Sequence, residues 1–161
     1  MYRFSFAAAL FIVPAACLAQ VPNSVPPRYV DAIDWPAHEA GLENFALAEE
    51  MLALSFDRLC NDTFCEGPYG NLRPMQLSCS VDAAKGTLKQ CLWIFAGSAT
   101  SVNAATGAVQ VSAKIFKRKL QLARNTPVAS FYDVMQGGEL LNEKLPMTRR
   151  TVYENLVGCL P

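Results

Sequence analysis

Residues 75–95 read MQLSCSVDAAKGTLKQCLWIF, two runs of alternating apolar and polar residues around a short polar centre. Met75, Leu77, Cys79 and Val81 fall on one face of the first run, and Cys91, Trp93 and Phe95 on one face of the second. A period of two marks a strand with one buried face. The DAAKG segment between them is turn material. A turn centred near Lys85 sets Cys79 opposite Cys91, Leu77 opposite Trp93 and Met75 opposite Phe95. All six side chains then share a face, so register and hydrophobic pattern agree. The same register predicts a Cys79–Cys91 disulfide, because neighbours on adjacent strands come within bonding reach where they are not hydrogen-bonded to each other.

On the C-terminal side the second strand continues through AGSATSVN to a turn at AATGA. A third strand, AVQVSAKIF, returns with Val109, Val111, Ala113 and Ile115 alternating. The result is a three-stranded antiparallel meander, one face of which needs a helical cover. The longest candidate for that cover precedes the sheet. Leu42, Phe45, Leu52, Phe56 and Leu59 form a helical stripe, with Glu39, Glu43, Glu49 and Glu50 largely off it. Asp34 and Pro36 suit its start, and CEGPYGN, with Gly67, Pro68 and Gly70, ends it.

After the meander, TPVASFYDVMQ predicts a helix capped by Thr126, with Pro127 first and Phe131, Val134 and Met135 inward. GGELLNEKLP reads as a turn or broken helix. A last helix starts at Thr148 and places Val152, Leu156 and Cys159 on one stripe. The order is an N-terminal helix, a three-stranded antiparallel meander and two C-terminal helices: an α+β fold, stapled by disulfides.

At 161 residues the chain suits a single such domain. Residues 1–19 carry one cation, Arg3, then an apolar run from Phe4 to Val13 and small residues. That is the pattern of a cleaved export leader, too short to span a bilayer. Residues 20–34 begin QVPNSVPP and read as an extended, proline-rich arm, and 35–161 as the α+β domain. A rival reading makes PAAC a lipidation box that tethers Cys17, although Pro14 stands where an aliphatic residue is usual. Losing the leader removes one cation and no acid, which leaves a slight acidic excess. Nucleic-acid binding needs a surplus of cations, so nothing in the charge balance speaks for that class and no nucleic-acid partner is expected. No later apolar run reaches the length of a membrane span. The destination is a bacterial periplasm or the cell exterior.

Cys60, Cys65, Cys79, Cys91 and Cys159 remain after cleavage. In an oxidising compartment they form a disulfide framework. Zinc would want four ligands, and Cys79 and Cys91 already face each other, so no metal is expected. A thioredoxin-like centre needs its thiols at a helix start, where the dipole lowers a pKa, whereas Cys60 and Cys65 stand at a helix end. Cys60–Cys159, Cys65–Cys159 and Cys60–Cys65 all remain open. The count is odd, so at least one thiol stays free or pairs with another chain, as in a disulfide-linked homodimer.

No catalytic set assembles in the sequence, and no cofactor motif is present. His38 is the sole histidine. It could act as a general base oriented by Asp31, Asp34, Glu39 or Glu43, yet a solvated histidine at a helix start is the simpler account. AGSAT lacks the strained turn of a nucleophilic serine, and MQGGEL lacks the Lys-Ser/Thr of a phosphate loop. Lys114, Lys117, Arg118, Lys119 and Arg124 either block edge pairing of a strand or meet an acidic partner. Tyr29, Trp35 and Tyr69 are loop or arm aromatics of the kind that anchor interfaces.

The expectation is an exported, non-enzymatic protein-binding module, in its concrete form an inhibitor or immunity protein that blocks an envelope-directed hydrolase. Candidate contacts are Glu66, Tyr69 and Asn71 in one loop, Asn103 and Thr106 in the hairpin turn, and Lys117, Arg118 and Lys119 at the strand end. The alternatives are an envelope accessory or assembly factor, tethered through Cys17, and a small hydrolase using His38. Mass spectrometry of the exported chain is expected to find Gln20 at the N-terminus, whereas a diacylated Cys17 would establish the tether instead.

Overall fold

The computed structural model describes residues 28–59, 69 and 71–156. Cys17, Cys60, Cys65, Glu66 and Cys159 lie outside them, so the leader, the tether and the pairing of three cysteines concern undescribed residues. Strand β1 (Tyr29–Asp31) leads into a 3-10 turn at Ala32–Asp34 and then helix α1 (His38–Leu59). Strands β2 (Arg73–Asp82), β3 (Thr87–Val102) and β4 (Val109–Leu120) follow. Strand β5 (Thr126–Pro127) precedes helices α2 (Val128–Met135) and α3 (Val152–Leu156). The sheet is antiparallel in the order β1-β2-β3-β4, with β5 beside β3 beyond the end of β4. The fold is α+β, and the meander is the centre of a five-stranded sheet. Residues 29–34, within the stretch the sequence assigns to the arm, join the fold: β1 pairs with β2, and Ala32 is buried.

The β2–β3 register places Cys79 opposite Cys91 and Leu77 opposite Trp93. The disulfide joins Cys79 to Cys91 with 4.1 Å between their Cα atoms, a spacing near that of a non-hydrogen-bonded antiparallel pair. The expected partner of Phe95 is corrected. Pro74 stands there, because a bulge between Pro74 and Gln76 leaves Met75 without a partner and exposed. Proline lacks the amide proton that an unbroken ladder needs, so a bulge at Pro74 is its natural place.

Helix α1 contains no β-branched residue and is rich in Ala, Leu, Glu and Met, all strong helix formers. Its buried stripe is Gly41, Phe45, Ala48, Leu52 and Phe56. Leu42, expected on the stripe, is exposed, and Gly41 takes the inward position beside it. A Cβ on Gly41 would collide with the carbonyls of Ile33 and Trp35, so only glycine lets the 3-10 turn cross the helix there. Phe56 meets Phe95 at 4.8 Å and Trp93, edge-on, at 5.9 Å between ring centres. Burying each such ring stabilises the fold by about 1.5–3 kcal/mol.

Two acids of α1 also bind β2. Glu49 accepts a hydrogen bond from the Leu77 amide at 2.6 Å, and Asp57 accepts from Arg73 Nη1 at 3.0 Å. The β2 amide lies where β1 no longer pairs, so Glu49 satisfies a strand edge that would otherwise lack an acceptor.

The C-terminal helices begin later than the sequence suggests. Thr126 belongs to β5, donates to the Ala123 carbonyl at 2.9 Å and is fully buried, and α2 starts at Val128. Helix α3 starts at Val152, not near Thr148. Thr151 Oγ1 accepts from the Glu154 amide, and Glu154 Oε2 accepts from the Thr151 amide, a reciprocal capping box. Phe131, Met135, Val152 and Leu156 are fully buried, as their stripes require.

Replacing Cys79 and Cys91 together by alanine is expected to lower stability in urea unfolding by about 2–4 kcal/mol, the usual range for losing one bridge. Phe56→Ala should cost about 3–5 kcal/mol through the cavity it leaves. Met75→Ala should stay within about 0.5 kcal/mol, as expected of an exposed position; a loss like that of Phe56 would contradict the bulge.

Candidate functional site

Strand β3 spans 16 residues and pairs with β4 along its whole distal length, from Cys91 opposite Leu120 to Val102 opposite Val109. Side chains alternate between faces along this hairpin. The row containing Trp93, Phe95, Phe116 and Leu120 is buried toward the helices. The opposite row holds Val102, Val109, Val111 and Ile115, each more than half exposed. The expectation that the Val109, Val111, Ala113 and Ile115 face takes the helical cover is therefore corrected. Pairing of Phe95 with Phe116 assigns the even-numbered residues of β4 to the core and turns the odd ones outward.

The outer apolar row ends in cations. Lys117 lies opposite Ile94 and Lys119 opposite Leu92, on the same face as Ile115. Strands β3 and β4 contain no Asp or Glu, while they carry Lys89, Lys114, Lys117, Arg118 and Lys119. The acids are concentrated elsewhere: α1 bears Glu39, Glu43, Glu49, Glu50 and Asp57 against a single Arg58. A chain of zero formal charge thus has a basic hairpin and an acidic helix.

The candidate contacts separate into distinct places. Tyr69 packs edge-on against Phe116 at 5.7 Å, and its hydroxyl lies 3.1 Å from Ser112 Oγ. Lys114 Nζ stands 5.0 Å from the Phe116 ring centre and 5.9 Å from that of Tyr69, in cation–π range. Gly97 makes room for this packing, since a Cβ there would come within 2.9 Å of Leu72 Cδ2 and 3.1 Å of Tyr69 Cβ. Asn71 extends the β2 ladder: its Oδ1 accepts from the Ser98 amide at 2.6 Å, and its Nδ2 donates to Ser98 Oγ at 2.7 Å.

Asn103 and Thr106 shape the hairpin tip. Asn103 Oδ1 accepts from the amides of Ala105 and Thr106, and Thr106 Oγ1 accepts from that of Ala108. Lys117 and Lys119 share the outer face, but Arg118 lies in the inward row opposite Trp93. Its Nη1 donates to the Lys117 carbonyl, and its buried Nε has no hydrogen-bond partner. Tyr69 and Asn71 therefore brace the hairpin, Asn103 and Thr106 shape its tip and Arg118 stands in the inward row, whereas Lys117 and Lys119 are presented by it. Sequence reasoning missed Val102, Val109, Val111 and Ile115 as presented residues. The available signal was the strand's second alternating set, Phe116 and Leu120, which competes for the core.

His38 Nδ1 lies 2.6 Å from Asp34 Oδ1, with both side chains more than half exposed at the start of α1. The arrangement orients an imidazole, but it occupies an open surface. Among the described residues no group of three or more His, Cys, Asp and Glu side chains is placed to hold a metal ion. No described helix is long and apolar enough to cross a membrane. No family model, curated protein or solved structure matches the chain.

Tyr132 is a buried titratable group whose proton affinity burial changes. Desolvation by burial, with a smaller effect of the Asp31 charge, raises its pKa to about 12, and its hydroxyl has no hydrogen-bond partner. The folded state thus holds the phenol proton more tightly than the unfolded chain, whose phenol titrates near pH 10. The associated stability is complete below about pH 10 and is lost as pH rises toward about 12. Denaturation at stepped alkaline pH should show this decline, and Tyr132→Phe should reduce it while leaving stability at neutral pH unchanged or slightly higher.

Proposed function

We propose that this protein is an exported, non-enzymatic binding module that blocks an envelope-directed hydrolase, and that the outer face of the β3–β4 hairpin is its contact surface. The observation that carries the reading is the exposed row Val102, Val109, Val111 and Ile115, continued by Lys117 and Lys119 on strands without any acid. Contiguous exposed apolar surface with a polar border is characteristic of protein–protein contacts. The cations select an occupant with an apolar centre and an acidic rim, because opposite potentials steer association and like charges oppose it. A second copy is disfavoured on the same ground, since it would bring two cationic strands together.

Export is supported by the leader-like N-terminus and by the Cys79–Cys91 bridge, which is consistent with an oxidising compartment. Rigidity suits a blocking role. The hairpin is braced at its base by the disulfide and along its distal half by Tyr69 and Asn71, so little ordering remains to oppose binding. The close His38–Asp34 pair motivates the rival hydrolase reading.

Affinity capture from periplasmic extract should recover one stoichiometric partner whose hydrolytic activity falls when the protein is added. Val111→Glu with Ile115→Glu should weaken that complex by at least about a hundredfold, as for loss of a central apolar contact. Lys117→Glu with Lys119→Glu should mainly slow association and reduce its salt dependence. His38→Ala should leave inhibition unchanged. Inhibition that survives both outer-face double variants would overturn the assignment of this surface, and hydrolysis by the protein itself that vanishes in His38→Ala would overturn the binding role.

A further inference from the structure

At the end of the sheet that carries the β2–β3 turn, four cations from separate parts of the chain converge on one groove. Arg28 precedes β1, Lys85 lies in the β2–β3 turn, Lys89 near the start of β3, and Arg124 in the connection from β4 to β5. The groove has a volume of about 500 Å³ and a mainly polar lining. We propose that it binds a phosphoryl group carried on a small molecule or lipid headgroup. This site is separate in its residues from the outer hairpin face and does not rest on the partner-blocking reading.

The charge balance supports an anion. Asp82 is the only acid in the lining, and it is already engaged: Arg28 Nε and Nη2 lie 3.4 and 3.5 Å from its Oδ2. The Asp82 side chain is almost wholly shielded from solvent, so Arg28 neutralises it in place. Lys85, Lys89 and Arg124 have no ion-pair partner among the described residues. Three uncompensated positive charges thus share a concavity, which concentrates potential at its centre and attracts a multiply charged anion.

The chemistry of the donors favours phosphate over a single carboxylate. Arg124 offers a planar fork that pairs with two phosphoryl oxygens, while Lys85 and Lys89 add rotatable point charges. A phosphomonoester carries close to two negative charges at neutral pH and presents three acceptor oxygens. The volume exceeds that of the anion alone and falls in the range of small-molecule sites, leaving room for the group that bears it.

Each segment is placed by its backbone. The amides of Lys85 and Gly86 donate to the Asp82 carbonyl at 3.1 and 2.9 Å, closing the turn that carries Lys85. Arg28 is held at the rim by Asp82 and by its own approach to the Tyr29 ring, 5.0 Å from the ring centre. The cations are therefore brought together by the pairing of β1 with β2 and by the β4–β5 connection returning beside β3.

The test is calorimetric titration of the exported chain, disulfide intact, with glycerol 3-phosphate, and flotation with vesicles containing phosphatidic acid. Sodium chloride at matched ionic strength and phosphatidylcholine vesicles are the controls. Binding is expected in at least one arm, the free ester marking a soluble ligand and vesicles alone a headgroup. Lys89→Ala with Arg124→Ala should weaken it by about tenfold or more, the effect of losing one charge-assisted hydrogen bond. Lys117→Ala with Lys119→Ala should leave it unchanged. Both pairs are exposed, and unchanged melting temperatures would confirm intact folds. Absence of binding above the matched controls, or equal weakening by both double variants, would overturn the proposal.

Discussion

The register between β2 and β3 is locked where Cys79 meets Cys91, and the faces of the whole sheet follow from it. A slip by one residue would set Leu77 and Trp93 on opposite faces and leave one of the two strands presenting polar side chains to α1. The bridge opposes that slip covalently, while Phe56 opposes it by filling the space against Trp93 and Phe95. The bulges on either side of the bridged segment absorb departures from ideal pairing without disturbing its centre. Glu49 and Asp57 then fasten α1 to the same strand.

From that base β3 and β4 continue together well beyond the helical cover. Their distal inner face is filled by Tyr69, Lys114 and Phe116, and their distal outer face remains open. An unsupported two-stranded ribbon is only marginally stable in water. Asn71 and Tyr69 supply the missing third contact by side chains instead of a strand. The polar residues that the sequence offers as candidate contacts consequently do much of their work inside the molecule. The apolar residues that it offers as the inner face of β4 are the ones presented to solvent.

Charge is segregated in a similar way. Acids gather on α1 and cations on the hairpin, so overall neutrality conceals two surfaces of opposite character. Such polarity orients an approaching partner before contact. It also distinguishes two cationic places that composition merges: the outer hairpin face, where Lys117 and Lys119 border apolar side chains, and the groove around Lys85, Lys89 and Arg124, whose lining is mainly polar.

The sequence alone determined the α+β class, the hairpin around DAAKG and the Cys79–Cys91 pair, because a period of two on each strand, joined by a turn near Lys85, sets Leu77 opposite Trp93 on one face. It also determined the inward residues Phe45, Leu52, Phe56, Phe131 and Leu156, whose helical spacing leaves them no other face. Tertiary structure decided what local pattern leaves degenerate. Strand β4 has apolar residues on both faces, and only pairing of Phe116 with Phe95 chose between them. Met75 lost its place in the core to a bulge beside Pro74, and the short β1 and β5 strands gained theirs because β2 and β3 had free edges to pair. Those choices depend on contacts between residues far apart in the chain, which no periodicity within one segment encodes.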